Sequence, residues 1–201
     1  MLKKLVCGMA ALLALAAANA PAAAQGYSES YKFLKAVKEG KGSEVEDVLA
    51  GASSTLVNSK ESGTGDSALH LVTRQRNHGW VGFLIGKGAK VDAQNRDGMT
   101  PLGLSAELGW VEGAQALLAR RASVDLSNSR GETPLILAVQ KRDLAMVRLL
   151  LSKGADPKRA DRVAGYSALD YAKRDSRSAA ILKLLEDAIA APAKAAAGPS
   201  L

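Results

Sequence analysis

The chain has 201 residues, of which 47% are hydrophobic and only 4% aromatic, so one folded domain without large aromatic clusters is expected. The formal net charge of +7 is a mild excess of bases, compatible with an acidic protein, an anionic lipid or a polyanion as partner. The single cysteine, Cys7, excludes disulfides within the chain and metal sites built from several thiolates.

The first 24 residues differ in composition from the rest and predict a secretory signal peptide. Two lysines precede an uncharged run at positions 5–18, and small residues then lead to Ala24. Cleavage after Ala20 or after Ala24 fits this pattern, and we favour the second because Pro21 directly follows the first. An uncleaved anchor is the alternative, but this apolar run is short against the roughly 20 residues that a membrane-spanning helix needs.

Cleavage after Ala24 predicts a periplasmic mature chain that contains no cysteine. Its charged side chains would number 27 − 2 = 25 basic and 20 acidic, a net charge of 25 − 20 = +5. Export from the cytoplasm argues against nucleic acid as the natural partner. The stability of such a chain has to come from packing, because no disulfide supports it.

Two amphipathic helices are predicted next, separated by a break at residues 40–42. The inward-facing residues are Phe33, Leu34 and Val37 in the first helix and Val45, Val48 and Leu49 in the second. Ser43 is expected to cap the second helix, with Glu46 completing a capping box. Residues 52–64 are polar and about three residues longer than the later spacing requires, which indicates an enlarged loop, either linker slack or a binding insertion.

A glycine-led pattern then recurs along the chain. Its copies are Gly65-Asp66-Ser67-Ala68-Leu69, Gly98-Met99-Thr100-Pro101-Leu102 and Gly131-Glu132-Thr133-Pro134-Leu135, spaced by 33 residues, and a fourth, Gly165-Tyr166-Ser167-Ala168-Leu169, follows after 34. In each copy the pattern opens a first helix rich in small residues, and a second helix rich in large aliphatic residues follows. Such units bury their apolar faces against one another.

The charged fourth copy, residues 162–188, predicts a C-terminal cap, and residues 189–201, rich in Ala, Pro and Lys, predict a disordered tail. The Thr-Pro-Leu signature and the Gly154-Ala155-Asp156 exit resemble the ankyrin repeat family. This resemblance implies an all-α solenoid of stacked antiparallel helix pairs with short turn or hairpin fingers. About five units are expected, over residues 27–61, 62–94, 95–127, 128–161 and 162–188.

The sequence departs from the family pattern at three positions. Ala68 and Ala168 replace the proline of the motif, which loosens the start of the first helix without forbidding it. Arg121 stands where a glycine would end a second helix. A left-handed backbone at Arg121 would cost on the order of 1 kcal/mol.

The resemblance also implies a concave face that binds protein partners through the finger tips and the first helices. The tips correspond to Thr64, Asp66, Arg96, Asp97, Met99, Ser129, Arg130, Glu132, Val163 and Tyr166. The exposed positions of the first helices correspond to Arg74, Gln75, Glu107, Leu108, Gln140, Lys141, Arg174 and Asp175. These residues differ from unit to unit, so specificity is expected to lie there.

The two histidines make a weak case for a metal site, because no cysteine or paired acid lies at ligand spacing. His70 occupies the motif's histidine position, where the family's imidazole bonds loop backbone, and a structural role is favoured. His78 falls in the turn between two helices. Asp92 and Asp125 lie one period apart in the exit segments, and their expected role is to stabilise turns.

Lys87, Arg120 and Lys153 recur at intervals of 33 residues and form a basic ladder near the ends of the second helices. Cations stabilise helix C-termini, which explains the ladder without a ligand; binding of an anionic partner is the alternative. Trp80 and Trp110 follow inter-helix turns and are either partner anchors or packing residues between repeats.

No nucleophile with a base, paired carboxylates, phosphate loop or metal set occurs in the sequence. The sequence therefore predicts a monomeric, non-enzymatic protein-binding module without a cofactor. The alternative is a basic surface that binds anionic lipid or an envelope polymer. An enzyme would require a catalytic site of a kind that these motifs do not describe.

Overall fold

The structure is a computed structural model that describes residues 22–51 and 55–190, with side chains described from residue 29 onward. These residues form ten α-helices, two short 3-10 helices and isolated β-bridges, with no longer strand in the described ranges. Positions 1–21 of the predicted signal peptide and positions 191–201 of the predicted tail lie outside the described residues. The cleavage position after Ala24 lies within the first helix.

The ten helices form five consecutive pairs. They are α1 (Ala22–Lys38) with α2 (Gly42–Ala50), α3 (Ala68–Arg74) with α4 (His78–Gly86), α5 (Pro101–Leu108) with α6 (Val111–Ala119), α7 (Pro134–Gln140) with α8 (Leu144–Ser152), and α9 (Ala168–Arg174) with α10 (Ala179–Ala190). The first helices contact one another in chain order from α1 to α9, and the second helices do so from α4 to α10. The predicted all-α solenoid of stacked pairs is confirmed.

The first helices of the three middle units, α3, α5 and α7, are buried on more than one side. Every residue from 68 to 73, from 101 to 106 and from 134 to 139 is buried, because each first helix packs against its own partner and against both neighbouring first helices. Only their last residues reach the surface. The second helices bury one side and expose the other, which gives one continuous core from Phe33 to Leu185.

The helix starts explain how two units manage without the motif's proline. In the middle repeats a threonine hydroxyl accepts a backbone N–H three residues on, and proline follows at the first helical position. Where alanine replaces proline, the side chain at the third helical position bonds back to the cap. The Nδ1 atom of His70 accepts from the Ser67 amide at 3.2 Å, and Asp170 accepts from the Ser167 amide at 3.0 Å.

The predicted cap of α2 is wrong. The helix begins at Gly42, one residue before Ser43, and no side chain caps it. Gly40 takes a left-handed backbone with φ of +69°, so the chain turns at once into the next helix and Lys41 provides its first carbonyl acceptor, bonded by the Val45 amide at 3.1 Å. Ser43 therefore lies inside the first turn.

The predicted loop at 52–64 carries packing residues. Leu56 and Val57 are buried in a 3-10 helix that ends at Asn58. The Asn58 side chain accepts from the amide of Lys90 at 2.8 Å and so joins the first unit to the second. Residues 52–54 lie outside the described ranges.

Asp92 and Asp125 repeat the role of Asn58 at the next two unit boundaries. The Asp92 carboxylate accepts from the Ser123 amide at 2.9 Å, and that of Asp125 accepts from the Asp156 amide at 3.1 Å. Burial raises the pKa of Asp125 above its usual range. We predicted that both aspartates stabilise turns; both do accept backbone amides, but those amides belong to the following repeat, so the bonds link neighbouring units.

Three arginines have a left-handed backbone. Arg121, as predicted, has φ of +64°, and Arg76 and Arg142, which we did not predict, have φ of +53° and +56°. The last two occupy the position of Gly109, which ends α5 in the unit between them. Each reaches into the following unit: Arg76 donates to the Leu108 carbonyl at 2.6 Å, and Arg142 donates to a carboxylate there at 2.5 Å.

The last helix runs to Ala190, so Ile189 and Ala190 are helical, although we predicted them as the start of the tail. None of the helices in the described ranges has both the length and the apolar character needed to cross a bilayer.

Candidate functional site

Four loops precede the first helices α3, α5, α7 and α9, and we call residues 60–67, 95–100, 128–133 and 160–167 fingers 1 to 4. Each finger turns at a glycine with a positive φ between +70° and +83°. Neighbouring tips are joined by backbone hydrogen bonds, from Arg96 to the Thr64 carbonyl at 3.0 Å, from Ser129 to Asp97 at 2.9 Å and from Arg162 to Arg130 at 2.8 Å. The four tips therefore form one connected row.

Each finger is also tied to its own first helix. In three units the residue after the finger glycine contacts the residue eight positions later, and in the second unit both residues line one cavity. These pairs are Asp66 with Arg74 at 2.9 Å, Met99 with Glu107 in one cavity wall, Glu132 with Gln140 at 3.4 Å, and Tyr166 with Arg174 at 4.5 Å. The tip and helix positions predicted from the sequence thus form a single surface, which we call the finger face.

Three of the predicted tip residues, Asp66, Met99 and Glu132, are buried, with 1%, 9% and 7% of their surface exposed. The carboxylates of Asp66 and Glu132 are paired within the protein, whereas Met99 lines a cavity of the finger face. Burial would raise the pKa of Asp66, but hydrogen bonds from Asn95 and Arg74 hold it below its usual value. We conclude that Asp66 and Glu132 support the finger face from below and that Met99 contributes to its cavity.

Two asparagines that we did not predict organise the middle fingers. Asn95 donates to the Asp66 carboxylate at 2.7 Å, and Asn128 donates to that of Glu132 at 2.7 Å. Their side-chain oxygens accept backbone amides of their own fingers at 3.0 Å. Both lie three residues before a finger glycine and 33 residues apart, so the repeat alignment contained the signal that could have identified them.

A cavity of about 350 Å³ opens between fingers 2 and 3 and the ends of α3 and α5. Six of the predicted binding residues line it, namely Arg74, Arg96, Asp97, Met99, Glu107 and Arg130. Arg74 and Arg130 are paired with the buried carboxylates of fingers 1 and 3. The exposed acids Asp97 and Glu107 form no ion pair with any described residue. The cavity therefore presents both signs of charge.

Finger 4 is built around Asp161 instead of asparagine. One carboxylate oxygen accepts the amides of Val163, Ala164 and Gly165 at 2.7–3.2 Å, and the other accepts the Tyr171 hydroxyl at 2.7 Å. Burial opposes ionisation of Asp161, yet these bonds hold its pKa below the usual value. The side chain of Val163 is 76% exposed at the tip.

His70 has the structural role that we predicted. Its Nε2 donates to the Met99 carbonyl at 2.8 Å, which leaves Nδ1 as the acceptor facing Ser67. Burial lowers the pKa of His70, because a charged imidazole would be desolvated. His78 is exposed at the start of α4, and no three His, Cys, Asp or Glu side chains of the described residues converge as a metal site would require.

The other predicted helix positions differ in how they are engaged. Gln75 donates to the Lys38 carbonyl at 2.8 Å and so caps the preceding unit. Asp175 accepts from Arg142, which lowers the pKa of the carboxyl far below its usual range. Leu108 is half-buried, whereas Lys141 is exposed and forms no ion pair within the described ranges.

The basic ladder lies at the ends of the second helices, where Lys87, Arg120 and Lys153 follow α4, α6 and α8. Two of its members contact the protein itself. Lys87 pairs with Glu46 at 3.3 Å, and Arg120 donates to the Gly82 carbonyl at 3.4 Å. These contacts agree with a structural role and do not test the binding of an anion.

The two tryptophans are packing residues to different degrees. Trp110 is 5% exposed, and its ring leaves room only for a glycine at position 113. Trp80 is half-buried and meets Phe83 edge-on at 5.3 Å. Of the two alternatives predicted for Trp110, the structure supports packing between repeats, because the ring is buried.

An array of stacked helix pairs whose fingers and helix ends share one exposed surface defines a repeat scaffold. The family model for ankyrin repeats (3 copies) matches residues 22–128, 69–161 and 114–194, which together span 22–194. The chain belongs to the ankyrin repeat family, whose repeats are generally protein–protein interaction modules and typically non-enzymatic.

Proposed function

We propose that this chain is a periplasmic, non-enzymatic module that binds a protein partner through the finger face. The observation that carries the proposal is the convergence of residues that vary between units onto one surface held by invariant geometry. In three units the finger contacts the end of its own first helix, and tip-to-tip hydrogen bonds link the units in series. A surface ordered in this way loses little conformational entropy when it binds.

The chemistry of the finger face suits a polar protein surface. Its central cavity combines Arg96, Asp97 and Glu107 at the rim with the apolar side chains of Met99 and Leu104. Opposite charges at fixed positions select a partner by complementarity and penalise a mismatched one. The buried carboxylates beneath the fingers already accept hydrogen bonds within the protein, so they need no donor from the partner.

The proposed location rests on the N-terminal sequence pattern, with cleavage after Ala24. Determination of the N-terminal residue of the protein purified from its own cells tests it directly. We expect Gln25 as the first residue and recovery in the periplasmic fraction. An intact Met1, or recovery only from the cytoplasm, would refute the proposed export.

The proposed binding face is tested with charge reversals that leave the fold intact. Arg130 is unsuitable, because its reversal would set a second carboxylate beside the buried Glu132. Arg96→Glu combined with Lys141→Glu avoids this problem, since neither residue holds a buried acid. The matched control is Lys153→Glu, on the basic ladder and away from the fingers.

Crosslinking in the cells that make the protein identifies the partner, and binding of that partner to each purified variant is then measured. We expect the finger-face double variant to bind at least about tenfold more weakly, as loss of interfacial charge pairs implies, and the ladder variant to bind normally. Unchanged binding of the double variant would show that the finger face is not the interface.

A further inference from the structure

The distribution of unpaired charge along the finger face points to the kind of partner it accepts. We propose that the last two units bind an acidic segment of the partner protein, and that Arg174 holds a carboxylate of that segment. This inference rests on the proposed function and names the chemistry of its partner.

All the carboxylates that belong to fingers 3 and 4 and to the helices that follow them are engaged within the protein. Glu132 accepts from Arg130 and Asn128, and Asp161 accepts from Tyr171 and three backbone amides. Asp170 accepts from Ser167 at 2.6 Å. Asp175 pairs with Arg142 and Arg177. These acids are buried or half-buried and have little free capacity for a basic ligand.

Four cations on the same fingers and first helices, or directly after them, are in the opposite situation. Lys141, Arg162, Lys173 and Arg174 are all exposed, and none of them forms an ion pair within 4 Å of a described carboxylate. The exposed, unpaired charge on fingers 3 and 4 and on the first helices that follow them is therefore positive. The middle of the finger face differs, because Asp97 and Glu107 are exposed and unpaired there. An acidic segment is therefore attracted to fingers 3 and 4 more strongly than to the middle, where both signs of charge are exposed.

Arg174 is ordered in advance of binding. Its guanidinium carbon lies 4.5 Å from the centre of the Tyr166 ring, and that ring meets Tyr171 edge-on at 5.6 Å. Tyr171 in turn donates to the buried Asp161 at 2.7 Å, which fixes the pair of rings to finger 4. No described residue accepts a hydrogen bond from the Arg174 side chain. A planar guanidinium held on an aromatic face presents its remaining N–H groups in the fork that a carboxylate fits.

An apolar contact is available beside this charge. Val163 is 76% exposed at the tip of finger 4 and follows Arg162 directly in the chain. A peptide that carries a carboxylate to Arg174 would cover this side chain if it continues along the finger. The accepted segment is therefore acidic with an adjacent apolar residue, and a lipid headgroup or another polyanion is the competing class.

The test is an NMR titration of the full chain with hexaglutamate, followed at the Nε–Hε group of Arg174 and at the backbone amides of residues 160–175. Hexaglutamine serves as the uncharged control peptide. We expect hexaglutamate to shift these signals and hexaglutamine to leave them in place. If hexaglutamate shifts none of them, or if both peptides act alike, the proposal is overturned.

Three variants separate the stacked guanidinium from simple charge. Arg174→Gln removes the cation, Arg174→Lys keeps the charge without the planar fork, and Arg148→Gln removes an exposed cation from α8 as the matched control. We expect both Arg174 variants to bind hexaglutamate roughly tenfold more weakly, the loss expected for a charge-assisted pair, and the control to bind normally. Equal affinity of wild type and Arg174→Gln would contradict the role assigned to Arg174.

A second titration with phosphatidylglycerol vesicles addresses the competing class. If vesicles shift the signals of residues 160–175 and hexaglutamate does not, the surface recognises a membrane and the acidic-segment proposal is wrong. Failure of this proposal can be distinguished from failure of the proposed function. Crosslinks from the finger face to a protein partner would still form if that partner binds through a segment that is not acidic.

Discussion

Neighbouring units approach each other closely at three of the finger glycines, and substitution of Gly131 tests whether the fingers are stacked as described. Gly131 has φ of +83°, and a Cβ atom at this position would lie 2.6 Å from the backbone nitrogen of Arg162 in finger 4. Gly165 takes a similar φ of +70°, but no atom beyond its chain neighbours lies within 4 Å of the Cβ position, and no further finger follows it within the described residues. The two glycines thus differ in the presence of a neighbour.

The expected losses follow from that difference. Alanine at either position costs about 1 kcal/mol for the left-handed backbone. At Gly131 the added methyl group also forces finger 4 away and weakens the 2.8 Å hydrogen bond from Arg162 to Arg130, which adds roughly 1–2 kcal/mol. Since about 1 kcal/mol lowers the Tm of a chain of this size by roughly 2–4 °C, we expect a Tm decrease of about 2–4 °C for Gly165→Ala and of about 4–12 °C for Gly131→Ala.

Thermal and urea unfolding, followed by far-ultraviolet circular dichroism, measure both variants against the wild type. Equal losses for Gly131→Ala and Gly165→Ala would refute the close packing of fingers 3 and 4. A larger loss for Gly165→Ala would contradict the assignment of finger 4 as the end of the stack.

Three further substitutions probe other contacts of the same array. His70→Gln should flatten the pH dependence of Tm: the folded pKa of His70 lies below the unfolded value of about 6.5, so the wild type loses stability as pH falls below about 6.5. Arg121→Gly should raise the free energy of unfolding by up to about 1 kcal/mol, because it removes a left-handed non-glycine residue; a decrease in urea titration would show that the Arg121 side chain outweighs the strain. Asn128→Ala should destabilise by roughly 2–4 kcal/mol, since it leaves two backbone amides without an acceptor and removes one of the hydrogen bonds to the Glu132 carboxylate; a loss under about 0.5 kcal/mol would contradict the buried network.

The architecture could be predicted from the sequence because it depends on short-range signals repeated at a fixed period. The Thr-Pro-Leu motif located α5 and α7. Other units have a glycine at the position that corresponds to 121, and this difference identified Arg121 as a residue with a strained backbone. The same alignment contains Gly40 and Gly109 opposite Arg76 and Arg142, and a full comparison by column would have predicted those two left-handed residues as well.

The finger face was predicted less completely, because its details depend on contacts between units. Asp66 and Glu132 are charged, and charged residues at finger tips are expected to be exposed. Their burial depends on a hydrogen bond from an asparagine, which belongs to the neighbouring finger for Asp66 and to the same finger for Glu132. The pairing of Arg174 with the Tyr166 ring is likewise a tertiary contact. The failed cap at Ser43 was a local error, since the turn at Gly40 leads into the helix one residue earlier than capping preference indicates.

The most direct test of the finger face as the binding surface is site-specific photocrosslinking in the cells that make the protein. A crosslinking side chain replaces Arg96 or Lys141 on the finger face, or Gln115 or Arg148 on the exposed sides of α6 and α8. We predict that both finger-face positions give an adduct with the same protein and that the α6 and α8 positions give none with it. If a partner is crosslinked from Gln115 and Arg148 but not from Arg96 or Lys141, the finger face is not the binding surface.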